Sequence, residues 1–553
     1  MAKIRELSTA DPIELDYQLA ELPSSQHRAG LAGLVLMVDW LQRQNAHKGI
    51  CEIVRLTDRG VTLRMDQEGL AGLFDEVYAA SKGQQERVQP LKDKQKRIIP
   101  PLREETRNQI DAKTQKEKTK TIYVYPVTIP KGAFLVELDP SAQDEKGIWI
   151  KLWRDVIWSI FRGVPATRRP FDDRADGKQI KEAAEAWTNL LRPSDYSVEL
   201  PSTYYIGAQA INAENVPFKD RARFQFLLHF WPYSIQIYVP SVTKNDGERE
   251  FVGYALAIPD IANLELFCEE FPAALRGRGV EAAGYRPREA IIDLAIEGAL
   301  DLLKRLRERL ALRAGAQSTA DLVLGIDVVH VDKQGNNIKT LGVGRIDPHL
   351  TMIDDYTRIK ASLWNPLFRK QRLLNLVNER TWHAGFDQIL CSLPYKHSIG
   401  DKIFRHDARE SFRQENELIG EEARTHMPYE PETEPATNNT DGSNLDCEAL
   451  VYRVVGFYLK RKLKSKYQLE WAAVKENAAK STEYQQIKEK VAREAFLAVR
   501  SRSGTDFADY FASTLCSVSQ PLSEQQYIRL AQALYDDTDK VRTLTMLALS
   551  ARG

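Results

Sequence analysis

The chain of 553 residues carries 77 Lys and Arg against 77 Asp and Glu, so any nucleic-acid surface has to be local rather than a property of the whole chain. Its length exceeds one ordinary core, and 43% hydrophobic with 28% charged residues is typical of a folded protein with several domains. The five cysteines form no CxxC pair and the longest apolar run, 29–38, is too short to span a membrane, which predicts a cytoplasmic protein without disulfides or a cysteine zinc site.

Residues 1–80 are predicted to be helical with short strands. The stretch LAGLVLMVDWLQ is apolar on nearly every face, as in a buried helix, and ICEIVRLTDRGVTLRM predicts a hairpin turned at residues 58–60. Gln26, His27 and Arg28 stand just before the buried helix. They are candidates either for polar caps that hold the start of this helix or for a first-turn contact with a nucleic-acid phosphate.

Residues 82–120 form a basic segment, with twelve Lys and Arg against six Asp and Glu. Pro100 and Pro101 interrupt any continuous helix, and few side chains can bury a core, so we expect a partly disordered insertion. A solvated charged surface and a phosphate-tracking arm both fit this composition. The candidate nucleic-acid contacts of the segment are Lys92, Lys94, Lys96, Arg97, Arg103, Arg107 and Asn108.

The next folded region begins with the strand TIYVYPVTI and continues into an aromatic helix. Trp149, Trp153 and Trp158 recur at near-helical spacing, so we expect them to pack in a core rather than to stack on bases. Arg168 and Arg169 follow a proline on a predicted loop, which makes them candidates for phosphate contact.

Residues 204–240 read YYIGAQAINAENVPFKDRARFQFLLHFWPYSIQIYVP. Two aromatic-rich apolar runs, 224–231 and 235–239, follow a polar loop, and their composition predicts a strand-rich buried core. The loop amides Gln209, Asn212 and Asn215 are candidates for base recognition, because Asn and Gln side chains can pair bidentately with adenine.

The rest of the chain divides at a linker. We predict that residues 1–424 form one α/β body, which also contains a helix pair and a hairpin with its turn at 334–336. The stretch 425–446 is rich in Pro, Glu, Thr, Asn and Gly, which predicts a linker. Apolar positions at helical spacing then predict a helical bundle at 447–553. The expected fold is α+β and multi-domain, with a mixed α/β N-terminal part that contains antiparallel hairpins and an all-α C-terminal bundle. Five basic residues in this bundle are candidates for contact with single-stranded DNA: Lys460, Arg461, Lys462, Lys464 and Lys466.

The sequence contains no recognisable catalytic constellation. HExxH, Walker A and GxSxG motifs are absent, and no GxGxxG follows a predicted strand. His406 and Asp407 lack further metal ligands at helical spacing, and Asp327 and His330 lie on opposite faces of a predicted strand. We therefore expect no catalytic residues, no metal site and no cofactor, and interpret the chain as a recognition protein.

Four stretches resemble the large subunit of type I CRISPR surveillance complexes (Cascade), specifically the I-B/MYXAN-like branch: 19–41, 148–171, 204–240 and 253–264. The resemblance implies a non-catalytic, cytoplasmic subunit that recognises the protospacer-adjacent motif in duplex DNA and stabilises the R-loop in antiviral defence. The implied partners are the CRISPR RNA with its 5′ handle, target double-stranded DNA, the displaced strand, and the handle-binding, backbone and small subunits of Cascade. A helicase–nuclease, or a transposition adaptor in a CRISPR-associated transposon, is implied to act afterwards.

Two other classes stay open at this point, a nuclease with an unrecognised carboxylate site and a generic RNA-binding scaffold. The resemblance also implies that the C-terminal bundle is similar to the small subunit of the complex. Met427 stands at the start of the predicted linker and is the sole methionine between Met352 and Met546. Internal initiation there would yield residues 427–553 as a separate small subunit, although a methionine can also fall near a linker by chance.

Overall fold

The computed structural model describes the chain apart from residues 1–10, 45–47, 94, 111–116, 143–146, 162–167, 200–218, 244–248, 314–317, 336, 420–445, 476 and 518–521. The chain divides into two compact units, Met1–Ser241 with Phe251–His349 and Val242–Glu250 with Leu350–Gly553. The mixed α+β class and the multi-domain organisation expected from the sequence are confirmed. The predicted linker, 425–446, lies almost entirely outside the described residues, so a domain boundary there stays a prediction.

Short strands and helices alternate up to His349. The strands are β1 (Ile13–Gln18), β2 (Cys51–Leu56), β3 (Gly60–Met65), β4 (Ala80–Arg87), β5 (Arg103–Ile110), β6 (Glu117–Pro130), β7 (Ser197–Glu199), β8 (Lys219–Arg221), β9 (Gln236–Thr243), β10 (Arg249–Phe251), β11 (Tyr254–Ile261), β12 (Ala282–Ala283), β13 (Arg286–Pro287), β14 (Ile291–Ile292), β15 (Val323–Gln334) and β16 (Asn337–Ile346). The helices are α1 (Ser25–Gln44), α2 (Gln67–Val77), α3 (Ala133–Glu137), α4 (Ile148–Ser159), α5 (Arg168–Ala175), α6 (Lys181–Leu190), α7 (Ala222–Leu227), α8 (Leu264–Arg276), α9 (Glu297–Leu310) and α10 (Thr319–Leu322).

Helices fill the second unit. They are α11 (Leu350–Ser362), α12 (Pro366–Val377), α13 (Phe386–Ser392), α14 (Lys402–Ile419), α15 (Cys447–Tyr467), α16 (Trp471–Val474), α17 (Ala478–Arg500), α18 (Gly504–Tyr510), α19 (Glu524–Asp536) and α20 (Thr538–Arg552). The predicted helical content of 447–553 is confirmed, and α11 to α14 belong to the same compact unit as these C-terminal helices. None of the helices that the structure describes is long and apolar enough to cross a membrane.

The sheets are mostly antiparallel. One three-stranded sheet has the order β1-β3-β2, a second has the order β4-β6-β5, and the largest runs β10-β9-β11-β15-β16, with β14 pairing parallel to β9. The predicted hairpins β2–β3 and β15–β16 are both present. Alternation of buried and exposed residues along β1 shows that one face of its sheet covers the core and the other faces solvent.

Helix α1 is the centre of the first core. Its residues from Ala29 to Val38 are all buried, as the apolar sequence predicts, and it packs along β11. Gly30 and Gly33 lie directly against the backbone of Leu227 and Phe230, where a Cβ atom has no room. These two glycines therefore allow α1 to approach the neighbouring segment closely, which packs the interior densely.

The aromatic run 224–231 was expected in a strand, and this expectation is wrong. The structure places it in α7 and the following turns, whereas the second run, 235–239, lies largely in β9 as expected. Helical spacing brings Phe226 and Phe230 within 5.2 Å of each other between ring centroids, and both rings contact Phe74 of α2. Aromatic side chains suit strands and buried helices alike, so their packing partners decide the conformation.

Helix α20 lies at the centre of the second unit. All of the eleven residues from Val541 to Ala551 except Arg542 are buried, and α20 packs against α13, α14, α15, α17, α18 and α19. A helix that is buried on nearly all sides needs neighbours on all sides. The second core is therefore built from residues on both sides of the predicted linker.

Candidate nucleic-acid interface

In the residues that the structure describes, much of the basic segment lies in a three-stranded sheet, while residues 94 and 111–116 lie outside the described residues, so the partial disorder expected of the segment stays a prediction. Strands β4 and β5 pair with the two halves of the long strand β6. Tyr125 of β6 accepts a hydrogen bond from the backbone N–H of Leu91 at 3.0 Å and donates one to the carbonyl of Ile99 at 3.1 Å. Composition of the segment alone did not reveal this support, because Tyr125 in the apolar half of β6, beyond the basic segment, supplies it.

The described residues between these two contacts form a tight turn, which we call the basic turn (residues 91–99 without Lys94). The Asp93 amide donates to the Arg97 carbonyl at 2.9 Å, and the Asp93 carboxylate accepts from the backbone amides of Gln95 and Arg97 at 2.8 Å each. Lys96 adopts a positive φ of 63° within the turn. Hydrogen bonds to Arg97 are the main cause that lowers the pKa of Asp93, which therefore stays ionised and holds the turn.

Several candidate residues of this segment already have protein partners. Arg97 lies 2.9 Å from Asp93, and Arg107 binds Glu86 with two hydrogen bonds of 2.8 and 2.9 Å while also contacting Glu105. Arg103 also pairs with Glu105, at 2.6 Å, and Asn108 accepts a hydrogen bond from Thr119 at 3.2 Å. Lys94 lies outside the described residues. The local positive charge is thus smaller than the sequence count indicates.

Lys92 and Lys96 are exposed at the basic turn, and exposed apolar side chains occur in the same short segment of the chain. Val88 is 60% exposed, Ile98 61% and Leu102 58%. Sequence analysis missed these apolar residues, although Ile98 and Ile99 directly before two prolines were a visible signal. Cationic groups and exposed apolar groups within one short segment are able to contact both phosphates and bases.

Gln26, His27 and Arg28 lie in the first turn of α1, where the geometry favours the capping alternative. Gln26 and His27 are each 3% exposed, and the His27 ring lies 2.8 Å from Ser24 Oγ and 2.9 Å from Asp220 Oδ2. Arg28 pairs with Asp260 of β11 at 2.6 Å. These contacts tie α1 to β8 and β11. The side chains of Gln26 and His27 are buried, and a contact between this triplet and a phosphate stays a prediction.

Arg168 and Arg169 were expected on a loop, and this is wrong because they form the first turn of α5. Arg168 lies over the Trp158 ring at 5.3 Å and donates to the Trp158 carbonyl at 3.0 Å. Arg169 lies 3.6 Å from Asp173 and its side chain is 64% exposed. Trp149 and Trp153 are buried as predicted, while half-buried Trp158 instead supports Arg168.

The amide loop lies outside the described residues. Gln209, Asn212 and Asn215 all fall within 200–218, so their role in base recognition stays a prediction. The loop is bounded by the short strands β7 and β8, which pair antiparallel and bring its two ends together.

The basic run of α15 is divided between solvent and internal contacts. Lys464 pairs with Glu470 at 2.7 Å and Lys466 with Glu494 at 4.0 Å. Leu463, directly before Lys464, is buried in a cluster with Val474 and Tyr484, so positive charge covers only the outer face of the helix. Two other lysines of the run lie near aromatic rings: Lys460 Nζ is 5.8 Å from the centroid of the Phe457 ring, and Lys462 Nζ is 5.7 Å from that of Tyr458. Arg461 is exposed.

The residues considered for metal or catalytic chemistry have structural contacts. Asp407 is fully buried and accepts hydrogen bonds from the backbone amides of Trp364 and Asn365 at the start of α12, at 2.9 and 2.6 Å. His330 lies 2.7 Å from the Val252 carbonyl, and Asp327 lies 3.4 Å from Arg345. In the part of the chain that the structure describes, no group of three or more His, Cys, Asp or Glu residues is arranged to hold a metal ion.

Two family models match the chain. The model described as the type I-B CRISPR Cas8b N-terminal domain matches residues 50–316, and the model of the corresponding C-terminal domain matches residues 323–552. Together they cover nearly the whole chain, in the order expected for one protein. A search of curated proteins found no match.

Proposed function

Since the chain belongs to the Cas8b family, the large subunits of type I-B CRISPR Cascade complexes, we propose that it recognises the protospacer-adjacent motif in duplex DNA. The resemblance noted in the sequence is thereby confirmed. Membership in this family implies that the chain acts together with other Cascade subunits. The proposal extends to stabilisation of the R-loop and to a role without nucleic-acid cleavage by this subunit.

The observation that carries the proposal is the basic turn. Lys92 and Lys96 are exposed on a turn whose backbone is held by Asp93 and Tyr125, and apolar Ile98 within the turn is exposed, as are Val88 before it and Leu102 after it. Lysines on phosphates position a protein on duplex DNA without reading sequence. Apolar side chains that insert between base steps unstack them, which supports local opening of the duplex.

The proposal divides DNA recognition among the basic turn, the loop 200–218 and the guide RNA. The basic turn contacts the duplex, the loop 200–218 reads the motif through its amides, and the guide RNA reads the remaining sequence by base pairing. Further proposed partners are the 5′ handle of the CRISPR RNA, the displaced strand, and the handle-binding, backbone and small subunits. A helicase–nuclease or a transposition adaptor is proposed to act downstream.

The test replaces both exposed lysines of the turn, Lys92→Gln with Lys96→Gln. Arg97 is left in place because its loss also removes the partner of Asp93 and disturbs the turn. Each lost phosphate contact should reduce the salt slope of duplex binding by about 0.9, while the motif preference of the assembled complex persists. The matched control is Lys333→Gln with Lys339→Gln, two exposed lysines on the β15–β16 hairpin.

An unchanged salt slope in the Lys92 and Lys96 variant, or an equal reduction in the control, would remove the basic turn from the interface. Separate alanine substitutions at Val88, Ile98 and Leu102 address duplex opening. We expect them to preserve the salt slope, because no charge is lost, and to slow strand separation measured with a fluorescent base analogue next to the motif.

A further inference from the structure

A small cavity lies inside the first unit, and we call it the α4–α8 cavity. Its wall includes Leu135 of α3, Ile150 and Trp153 of α4, Ile237 of β9 and Arg278 directly after α8. The volume of about 30 Å³ is enough for about two water molecules or for one monatomic ion. Most of the wall is apolar, so the few polar groups decide what the cavity holds.

Arg278 brings a positive charge to the α4–α8 cavity. Its guanidinium lies 4.3 Å from the centroid of the Trp149 ring. It donates to the uncharged oxygens of Leu275 at 2.7 Å, Leu138 at 3.3 Å and Gln236 at 3.4 Å, and the last two bonds are long. No carboxylate of the described residues pairs with it. Burial is the main cause that lowers its pKa to about 9, so it remains a cation at neutral pH.

Asp139 is the carboxylate that acts most strongly on Arg278, but other donors already occupy it. It accepts hydrogen bonds from the backbone amides of Ser141, Trp149 and Ile150 at 2.9, 3.0 and 3.0 Å. The Ser141 hydroxyl donates a further bond at 2.6 Å. A carboxylate has about four acceptor positions, and all of them are used here. The Arg278 guanidinium is therefore not neutralised by a direct contact with Asp139.

Two further donors at this place have no hydrogen-bond partner within the described part of the chain. Gln236 is 1% exposed and offers its amide oxygen to Arg278, while its Nε2 is unpartnered. Its chain neighbours Ile235 and Ile237 both belong to the cavity wall. The Nε1 atom of Trp153, a wall residue that is 3% exposed, is unpartnered as well. Buried donors are seldom left without an acceptor, so these groups indicate a ligand that accepts hydrogen bonds.

We propose that the α4–α8 cavity binds a small monovalent anion of the size of chloride, held by the Arg278 guanidinium with the Gln236 amide and the Trp153 indole as further donors. A water molecule also accepts hydrogen bonds, but it has two hydrogens of its own to place and the remaining wall is apolar. A monatomic anion needs no acceptor from the wall and balances the charge of Arg278. The bound ion joins α4, β9 and the end of α8, so it stabilises the first unit.

The first experiment compares the thermal unfolding of the full chain in sodium chloride and in sodium gluconate at equal ionic strength, since gluconate is too large for the cavity. An ion that binds only the folded state raises the melting temperature, here by about 2 °C. Gln236→Glu places a carboxylate beside Arg278 and supplies the negative charge from within the protein. This variant should lose the difference between the two salts, apart from any general salt effect that all variants share.

The indole donor has a matched control. Trp153→Phe removes Nε1 and keeps an aromatic ring, and it should raise the chloride concentration that gives half of the stabilisation about 10-fold. Trp187 of α6 is also 3% exposed with an unpartnered Nε1, but it is not part of the cavity wall. Trp187→Phe therefore loses similar packing and should respond to chloride like the unsubstituted chain.

A crystal of the unsubstituted chain soaked in sodium bromide gives a direct readout that needs no variant. We expect an anomalous peak in the cavity next to Arg278. Density without anomalous signal would identify water and overturn the inference. An equal salt difference in the unsubstituted chain and in Gln236→Glu would also overturn it, since a bromide peak would then mean binding at crystal concentration only. Equal effects of Trp153→Phe and Trp187→Phe would remove the indole from the site and refute the proposed set of donors.

Discussion

A product that begins at Met427 should be far less stable than one that begins at residue 350. Helix α20 is buried along nearly its whole length, and α13 and α14 provide part of its cover. The fragment 427–553 lacks both of these helices, whereas the fragment 350–553 retains them. The perturbation is therefore the removal of residues 350–426 from otherwise identical fragments.

The size of the effect follows from the residues of α14 that face the core. Phe404 and Ala408 are fully buried and Phe412 is 1% exposed, and they recur every four residues on one side of the helix. The Phe412 ring stacks on Tyr452 of α15 with centroids 4.6 Å apart. Each Phe buries roughly 200 Å², and we take about half of that area to face α15 and α20. The loss of Phe404 and Phe412 therefore exposes about 200 Å² of apolar surface on α15 and α20. At about 25 cal/mol per Å² this costs about 5 kcal/mol, comparable with the whole stability of a domain.

Polar contacts increase the cost. Glu448 of α15 is 7% exposed and accepts a hydrogen bond from Trp382 at 2.6 Å, a donor that the shorter fragment lacks. Urea unfolding followed by far-ultraviolet circular dichroism compares the two fragments. Cooperative unfolding of 427–553 with the stability of 350–553 would refute the reasoning. If internal initiation occurs, Met427→Leu should remove a subunit that is found only in the assembled complex, where other chains cover α20.

Three further predictions concern activity, recognition and pH. The purified full chain should leave DNA and RNA intact with Mg²⁺, Mn²⁺ or Zn²⁺ in gel assays, and cleavage abolished by a single Asp or His substitution would restore the nuclease alternative. Alanine at Gln209, Asn212 or Asn215 should relax preference at one motif position by about 1–3 kcal/mol, whereas equal weakening on every sequence would mean that the amide only holds the loop. Burial lowers the pKa of His229 to about 3, so this group should cost about 1.4 kcal/mol of folding stability per pH unit as pH falls from about 6.5, and His229→Phe should remove that slope from acid unfolding curves.

The sequence predicted those elements whose signal is local. Helix α1 was predicted because apolar residues occupy nearly every face over 29–38, and the β2–β3 hairpin because turn residues interrupt two short β-branched runs. The run 224–231 was assigned wrongly because Phe226 and Phe230 meet Phe74 from a distant helix, a contact that no local window contains. Arg168 and Arg169 were placed on a loop because the helix that they begin has little apolar periodicity of its own.

Runs of charge overstate the available positive surface for a physical reason. In a run such as 460–466, neighbouring lysines attract carboxylates from outside the run, and Glu470 and Glu494 already lie against Lys464 and Lys466. Exposed pairs of this kind contribute little stability, but a nucleic acid has to displace them before it gains the full attraction of the lysine.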